Sequence, residues 1–489
     1  MQSSLFNVRV PLANVTPDEA PGHDEVFLMN TFTDAQLVVS SDVAALLDRL
    51  EYGARGRFND DERHALETLS EHGFVVRDRA DERQRLETFF REVREGTEEL
   101  RVTILTTLQC NFACDYCFQG DHGDYNKFAE KMSLETAARV AAWIEERMEA
   151  TGSSRLVLMF FGGEPLLNLP VMYYLAERLW ASSQARGVTM VTNIITNGLL
   201  LTPEVVDRLA PYGLTAVKIT LDGDRDTHNR MRPLRGGQGT FDKIIANIRK
   251  IAGRVQISLG GNFDESSVDS YPALIEFLAA QDFAPHISRV NFKPVIRDTT
   301  SPSRATTRSG KQKFIGLAPV DAATKPLNGT CMTSAGKGGT VGSGCDTCHF
   351  ADEKMASLRG LTRDAGFDTS DGVHMGPCEI HRKHAYTIGP EGDLYACPGF
   401  TGDKKMATGH IGGGMDPLRA AAASQFERLA AWKECNDCAF IPVCAGGCTV
   451  ASHNELGDMH APSCHKTSFQ AGVASMARDA AASLAGALA

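Results

Sequence analysis

From residue 101 the chain alternates short apolar runs with amphipathic stretches. The runs "RVTILTT", "RLVLMFFG", "MVTNIITN", "AVKITLDG", "VQISLGGN" and "RVNFKPVI" have the length and β-branched content of buried strands. Between them, segments such as "SLETAARVAAWIEERMEA" and "TFDKIIANIRKIA" repeat apolar residues every three or four positions, the period of a helix with one buried face. Six strand–helix units in a row predict an α/β fold with a parallel sheet, and the count suits an open, partial (β/α)6 barrel better than a closed barrel of eight. Barrel chemistry gathers at the C-terminal ends of the strands. There the chain places "CNFACDYC", "GGEP", "TNG", "LDG" and "GGN".

The flanking regions follow other patterns. Residues 1–98 read as a small α+β unit: strands at "EVFLMN" and "AQLVVS", helices at "SDVAALLDRLE" and "DERHALETLSEHG", then "FVVRD" and a charged connecting helix. Ser41 is expected to cap the first of these helices and Gly73 to end the second. The order of elements is winged-helix-like. The barrel is expected over 99–300. Residues 301–370 are rich in Gly, Ser, Thr and Pro without a period, and read as an irregular linker or insertion. A cysteine-rich domain is expected over 371–470, and a small-residue helix over 471–489.

Composition narrows the class. The 489 residues carry a net charge of −11, which argues against a basic face for nucleic acid. The start "MQSSLFNVRVPLANV" lacks a basic stretch before an apolar core, so no signal peptide is expected. No apolar run is long enough to cross a bilayer. The expectation is a cytoplasmic protein with no membrane partner. Thirteen cysteines are many for that compartment, where clustered thiols read as metal or redox sites rather than disulfides. They cluster as Cys110, Cys114 and Cys117; Cys331, Cys345 and Cys348; and seven from Cys378 to Cys464.

The first triplet is short of the four ligands that structural zinc takes. A 4Fe–4S cube also takes four thiolates as a rule, so three would leave one iron open to a small molecule. Zinc with a remote fourth ligand, or buried cysteines without metal, are the competing readings. Together with Gly162, Gly163 and Glu164 of "GGEP", Thr196 and Asn197 of "TNG", and Asp222 of "LDG", the CxxxCxxC triplet resembles the radical SAM superfamily. The resemblance implies that Cys110, Cys114 and Cys117 hold a 4Fe–4S cluster and that its open iron binds S-adenosylmethionine (SAM). It further implies that Gly162 to Glu164 meet the methionine amine, and that Thr196, Asn197 and Asp222 line the cofactor site. His228 or Arg232 of "HNRMRP" is a further candidate contact, set against a plain surface turn.

Downstream, Cys378 is followed by Gly392, Cys397, the CxxCxxxxxCxxxC run Cys435, Cys438, Cys444, Cys448, and Cys464. This order resembles the SPASM extension of radical SAM enzymes, with two auxiliary 4Fe–4S clusters; structural zinc is the alternative. By that resemblance Cys378, Cys397 and Cys448 hold the nearer cluster, and Cys435, Cys438, Cys444 and Cys464 the farther one. An eighth cysteine is missing from "SDGVHMGPC". Cys345, Cys348 and His374 are the candidates for that fourth place, unless one iron stays open. Cys331, Cys345 and Cys348 are otherwise unassigned: a zinc half-site, a redox dithiol and plain reduced thiols all remain open.

The resemblance implies an enzyme that cleaves SAM reductively to a 5′-deoxyadenosyl radical and removes hydrogen from a peptide or protein, as in maturation of ribosomally made peptides. It also implies an electron donor such as flavodoxin or ferredoxin. Residues 1–98 would then bind a leader peptide by strand addition. The alternatives are a sulfatase maturase, a small-molecule dehydrogenase and a non-catalytic iron–sulfur or zinc scaffold. Sulfatase maturases usually carry Asp directly after the cysteine matching Cys397, where this chain has Pro398. No residue is assigned as catalytic from sequence.

Overall fold

The computed structural model describes residues 1–16, 22–51, 58–114, 116–117, 126, 129–295, 346–369, 373 and 376–488. Its centre is a nine-stranded sheet. Six parallel strands, Glu99–Leu105, Arg155–Phe161, Thr189–Thr196, Leu214–Thr220, Gln256–Phe263 and Ile287–Pro294, lie side by side in chain order. They are the six strands read from the apolar runs. Leu100, Val102 and Ile104, with their counterparts on the other strands, pack against Ile144, Leu175, Val206, Ile248 and Leu274 of the connecting helices. The alternate residues face the concave side, since strand side chains alternate. Each strand therefore delivers its last residues to one rim.

The sheet does not stop at the first barrel strand. Ala385–Ile388 pairs parallel to it, matching Ala385 with Arg101 and Ile388 with Ile104. Asp393–Tyr395 and Gly409–His410 then continue the sheet antiparallel. The cysteine-rich region is thus hydrogen-bonded to the strand that leads into the CxxxCxxC loop. Lys404 reinforces this join: its Nζ lies 2.6 Å from Asp393 Oδ2, 2.9 Å from Glu391 Oε2 and 3.1 Å from Glu130 Oε1.

In the N-terminal unit, Asn7–Pro11, Val26–Asn30 and Ala35–Val39 form an antiparallel sheet. Gln2–Ser3 pairs with Val75–Val76. The two helices, Ser41–Glu51 and Asp60–Glu71, fall where the periodicity placed them. Gly73 follows the second at φ +84°, a conformation glycine adopts without cost. Ser41, by contrast, lies inside its helix and donates its hydroxyl to the Asp24 carbonyl, while the Ser40 carbonyl accepts the Ala44 N–H. The helix Arg79–Glu95 stacks Phe90 on Trp432 with centroids 4.6 Å apart.

Two expectations change. Within 301–370 the structure has a long helix, Asp346–Asp364, which buries Leu358 and bonds Thr362 Oγ1 to the Leu358 carbonyl at 2.7 Å. Its apolar stripe is too thin to show a period. The final helix begins at Lys466 rather than 471 and packs Val473, Ala477 and Ala481 on Leu12 and on Phe27 and Met29 of the N-terminal sheet. Cys331, Cys345 and His374 lie outside the described residues; Cys348 falls in the first turn of the helix Asp346–Asp364. Among the described residues no helix is long and apolar enough to cross a membrane.

Candidate active site

The rim of the barrel is organised around the loop after its first strand. Cys110 is held from both sides by Asn126, whose Oδ1 accepts the Cys110 N–H at 3.2 Å and whose Nδ2 donates to the Cys110 carbonyl at 3.0 Å. Arg235 Nε donates to that same carbonyl at 2.7 Å. The loop also pairs with the segment after the fourth strand, through Ala113 N to Pro233 O and Arg235 N to Asn111 O. Burial pushes the Cys110 thiol up to about 12, and the nearby Glu164 charge adds to the effect. Cys114 is raised further, again mainly by burial, with Arg232 pulling the other way.

"GGEP" meets this loop along its main chain. Gly163 N donates to Thr107 O at 2.9 Å and Glu164 N to Gln109 O at 2.8 Å. A Cβ on Gly162 would lie 2.3 Å from Thr107 O, and one on Gly163 2.3 Å from Gln109 O. The close approach that the two glycines permit is thus to the cysteine loop itself. Glu164 is fully buried. Its Oε1 accepts from Thr196 Oγ1 at 2.8 Å and Leu166 N at 3.0 Å, and its Oε2 from Asn197 N at 2.8 Å. Burial raises this carboxyl, while those three donors act in the opposite direction. Asn197 in turn donates to Asn111 Oδ1 at 2.8 Å. Loop, second strand and third strand are therefore one hydrogen-bonded unit.

A second polar cluster closes the rim at the fourth and fifth strands. Buried Asp222 accepts from Asn262 N at 2.7 Å and from the Tyr116 hydroxyl, and lies 3.5 Å from Arg232 Nη1. Arg232 Nη1 also donates to Tyr116 at 2.6 Å. Burial works against the Arg232 guanidinium, but Cys114, Tyr116 and Asp222 outweigh it and keep it charged. Its Nε is buried and has no hydrogen-bond partner among the described residues.

His228 is fully buried beneath this cluster, and burial holds it neutral. The Asp222 N–H donates to its Nδ1 at 3.1 Å, so Nε2 carries the proton and faces Thr240 Oγ1 at 3.1 Å. "HNRMRP" is thus no surface turn: its start lies in the helix Arg225–Met231, and it braces the rim from below.

The cysteine-rich region gathers its thiols in two groups. Cys378, Cys397 and Cys448 are close enough that charge on Cys378 and Cys448 raises Cys397, after burial, to about 12. Cys435, Cys438, Cys444 and Cys464 interact likewise; burial first, then Cys435, Cys464 and Cys438, push Cys444 to about 12. A Cβ on Gly447 would sit 1.8 Å from Ser463 O, so only glycine lets the Cys444–Cys448 turn reach the Cys464 segment. All ten cysteines with described side chains are free thiols. Among the described residues, no three His, Cys, Asp or Glu side chains converge on a position for a single metal ion.

The family model for the Radical SAM superfamily matches residues 104–260, from the first barrel strand to the fifth. The chain carries a radical SAM domain. Domains of this family use a 4Fe–4S cluster and SAM. Its relatives include the Serine-type anaerobic sulfatase-maturating enzyme of Bacteroides thetaiotaomicron, 28% identical over 28% of this chain and 33% of that protein. PqqA peptide cyclase of Granulibacter bethesdensis is 25% identical over 45% of this chain and 57% of that protein. Alignment thus reaches less than two thirds of either relative. In fold, the chain is similar to anSMEcpe, solved with bound AdoMet, at a TM-score of 0.55 and 15% identity over 79% of this chain and 99% of that one.

The donor set fits the family's cofactors: three free thiols on one loop, and beside them a buried guanidinium nitrogen with no partner among the described residues. Sequence reasoning missed Asn111, Tyr116, Asn126, Arg235 and Asn262. Tyr116 was the most findable, lying between Cys114 and Cys117.

Proposed function

We propose that this chain is a radical SAM enzyme of the SPASM type that cleaves SAM reductively and removes a hydrogen atom from a peptide or protein substrate. The observation that carries this reading is the locked rim: the CxxxCxxC loop, "GGE" and "TNG" joined through buried Glu164. When bound, the cluster and SAM supply a 5′-deoxyadenosyl radical. Cys110, Cys114 and Cys117 would hold that cluster, with Gly162 to Glu164, Thr196, Asn197 and Asp222 around the cofactor. Glu164 does so as a brace, since its carboxylate is occupied by three protein donors. The unpaired Arg232 Nε is a donor for a carboxylate such as that of SAM.

The two thiol groups support auxiliary sites formed by Cys378, Cys397 and Cys448, and by Cys435, Cys438, Cys444 and Cys464. A peptide substrate is supported by relatives named as a peptide cyclase and a sulfatase-maturating enzyme, and by a structure of anSMEcpe with a bound peptide. The strand Ala35–Val39, at the edge of the N-terminal sheet, is an acceptor for a leader peptide. A flavodoxin or ferredoxin would supply electrons. Sulfatase maturation is disfavoured, because Pro398 opens a 3-10 turn after Cys397 where a carboxylate is expected.

Anaerobic reconstitution tests the reading. About twelve irons per chain, falling to about eight when Cys110, Cys114 and Cys117 are all changed to Ala, is the expected count. 5′-Deoxyadenosine should form from SAM only in the unchanged chain. Zinc in place of iron, or no loss of iron in the variant, would favour a scaffold instead.

A further inference from the structure

The concave face of the barrel is uneven in charge. Lys218 on the fourth strand pairs in register with Ser258 on the fifth, and Ser258 with Arg289 on the sixth. Two rows nearer the rim, Asn262 pairs with Lys293. Val217, Ile219 and Val290 point into the helix-side core, so Lys218, Arg289 and Lys293 all stand on the concave side. All three are solvent-exposed. The sequences of these strands, LTAVKIT, QISLGGNF and ISRVNFKP, contain no Asp or Glu.

Lys293 and Arg289 both lie near enough to act on Lys218. Burial of its ammonium group lowers Lys218 to about 8, although the residue keeps exposed surface, and Lys293 and Arg289 add to the effect. Among the described residues none of the three makes an ion pair with a carboxylate, and Asp222, beyond Asn262, is already paired with Arg232. A Cβ on Gly260 would meet Lys218 Cε at 3.0 Å. The missing side chain is therefore what lets Lys218 run up the wall from the Ser258 row toward the rim. That rim is the cofactor cluster: Asn262 N donates to Asp222 at 2.7 Å, and Lys293 stands about one strand spacing, roughly 4.8 Å, beyond Asn262. Like charges held together without counter-ions repel, and an anionic ligand relieves that repulsion. The sequence that follows, residues 296–345, is itself net basic, with seven Lys and Arg against two Asp.

We infer that Lys218, Arg289 and Lys293 form a carboxylate-recognising wall in the barrel, which holds an acidic segment of a peptide substrate beside the cofactor rim. This rests on the peptide-substrate reading above. Carboxylates of the segment would accept charge-assisted hydrogen bonds from the wall, while the residue to be modified lies toward Asn262.

The test uses the full chain, reconstituted anaerobically with iron and sulfide. Its ligands are a short fluorescein-labelled peptide rich in glutamate, the same peptide with glutamine in place of glutamate, and citrate. Variants are Lys218→Met and Lys293→Gln, with iron content as the check on folding. The expected result is that the glutamate peptide binds at least about tenfold more tightly than the glutamine peptide, and that each variant weakens it about tenfold with iron unchanged. Equal binding of both peptides, indifferent to the variants, overturns the wall while leaving a peptide substrate standing. Lysine-dependent citrate binding with neither peptide bound overturns the acidic-peptide assignment and the peptide reading together. No binding by any of the three overturns the proposal outright.

Discussion

The carboxylate of Glu164 accepts the main-chain N–H of Asn197 at 2.8 Å, joining the C-terminal ends of two neighbouring barrel strands in a fully buried position. Glu164→Gln turns one acceptor into a donor opposite Asn197 N–H or Thr196 Oγ1. The expected cost is about 1–3 kcal/mol in denaturant unfolding. Formation of 5′-deoxyadenosine should fall with it, because the cysteine loop is bonded to the same unit. An unchanged midpoint would mean that the amide finds other partners.

Arg232→Met would leave Asp222 and Tyr116 buried without their cation. Breaking such a pair from one side costs roughly 3–5 kcal/mol. Arg232→Lys keeps the charge but loses the Nε donor. It should therefore recover more of the unfolding midpoint than of the affinity for SAM, read by equilibrium dialysis. Equal recovery of both would deny the unpaired Nε a ligand.

His228 is held neutral by burial and by the Asp222 N–H on its Nδ1. Its folded pKa lies below the unfolded value of about 6.5, so its contribution is present above that pH and is lost as pH falls. Below pH 6.5 the stability of the wild type should drop more steeply than that of His228→Gln, by about 1.4 kcal/mol per pH unit. Parallel curves of unfolding free energy against pH would show that His228 takes up a proton in the fold.

Gly447→Ala would drive a methyl group into Ser463 O. Iron per reconstituted chain should fall by about four, the content of one cube. The iron bound by the triplet loop, measured as 5′-deoxyadenosine formed in a short single turnover, should persist.

The six barrel strands were legible because their apolar runs face helices along their whole length, and because "GGEP", "TNG" and "LDG" mark strand ends. Cys110, Cys114 and Cys117 were singled out by spacing, and they stand as free thiols on the loop after the first barrel strand. The partners of these motifs were not legible. Asn126 holds Cys110 from sixteen positions away in the chain, and Arg235 from 125. Single polar residues at such separations carry no period and no local pattern. His228 and Arg232 were named, with a surface turn as the competing reading, since a polar segment reads as exposed unless its buried partners are known. The helix Asp346–Asp364 escaped because charged residues interrupt its stripe.

The pairing of Ala385–Ile388 with Glu99–Leu105 has a consequence for assembly of the chain. An open barrel has two raw edges, and a bare edge strand invites another chain to pair with it. Here the edge beside the cysteine loop is closed by a strand that arrives some 280 residues later in the sequence. The first barrel strand therefore waits, unpaired on that side, until Ala385–Ile388 has been made. Contacts so distant in sequence are slow to form. A chain ending before Ala385 would keep every strand of the six-stranded barrel and still be prone to self-association, so the cysteine-rich region serves as the barrel's seal as well as its companion.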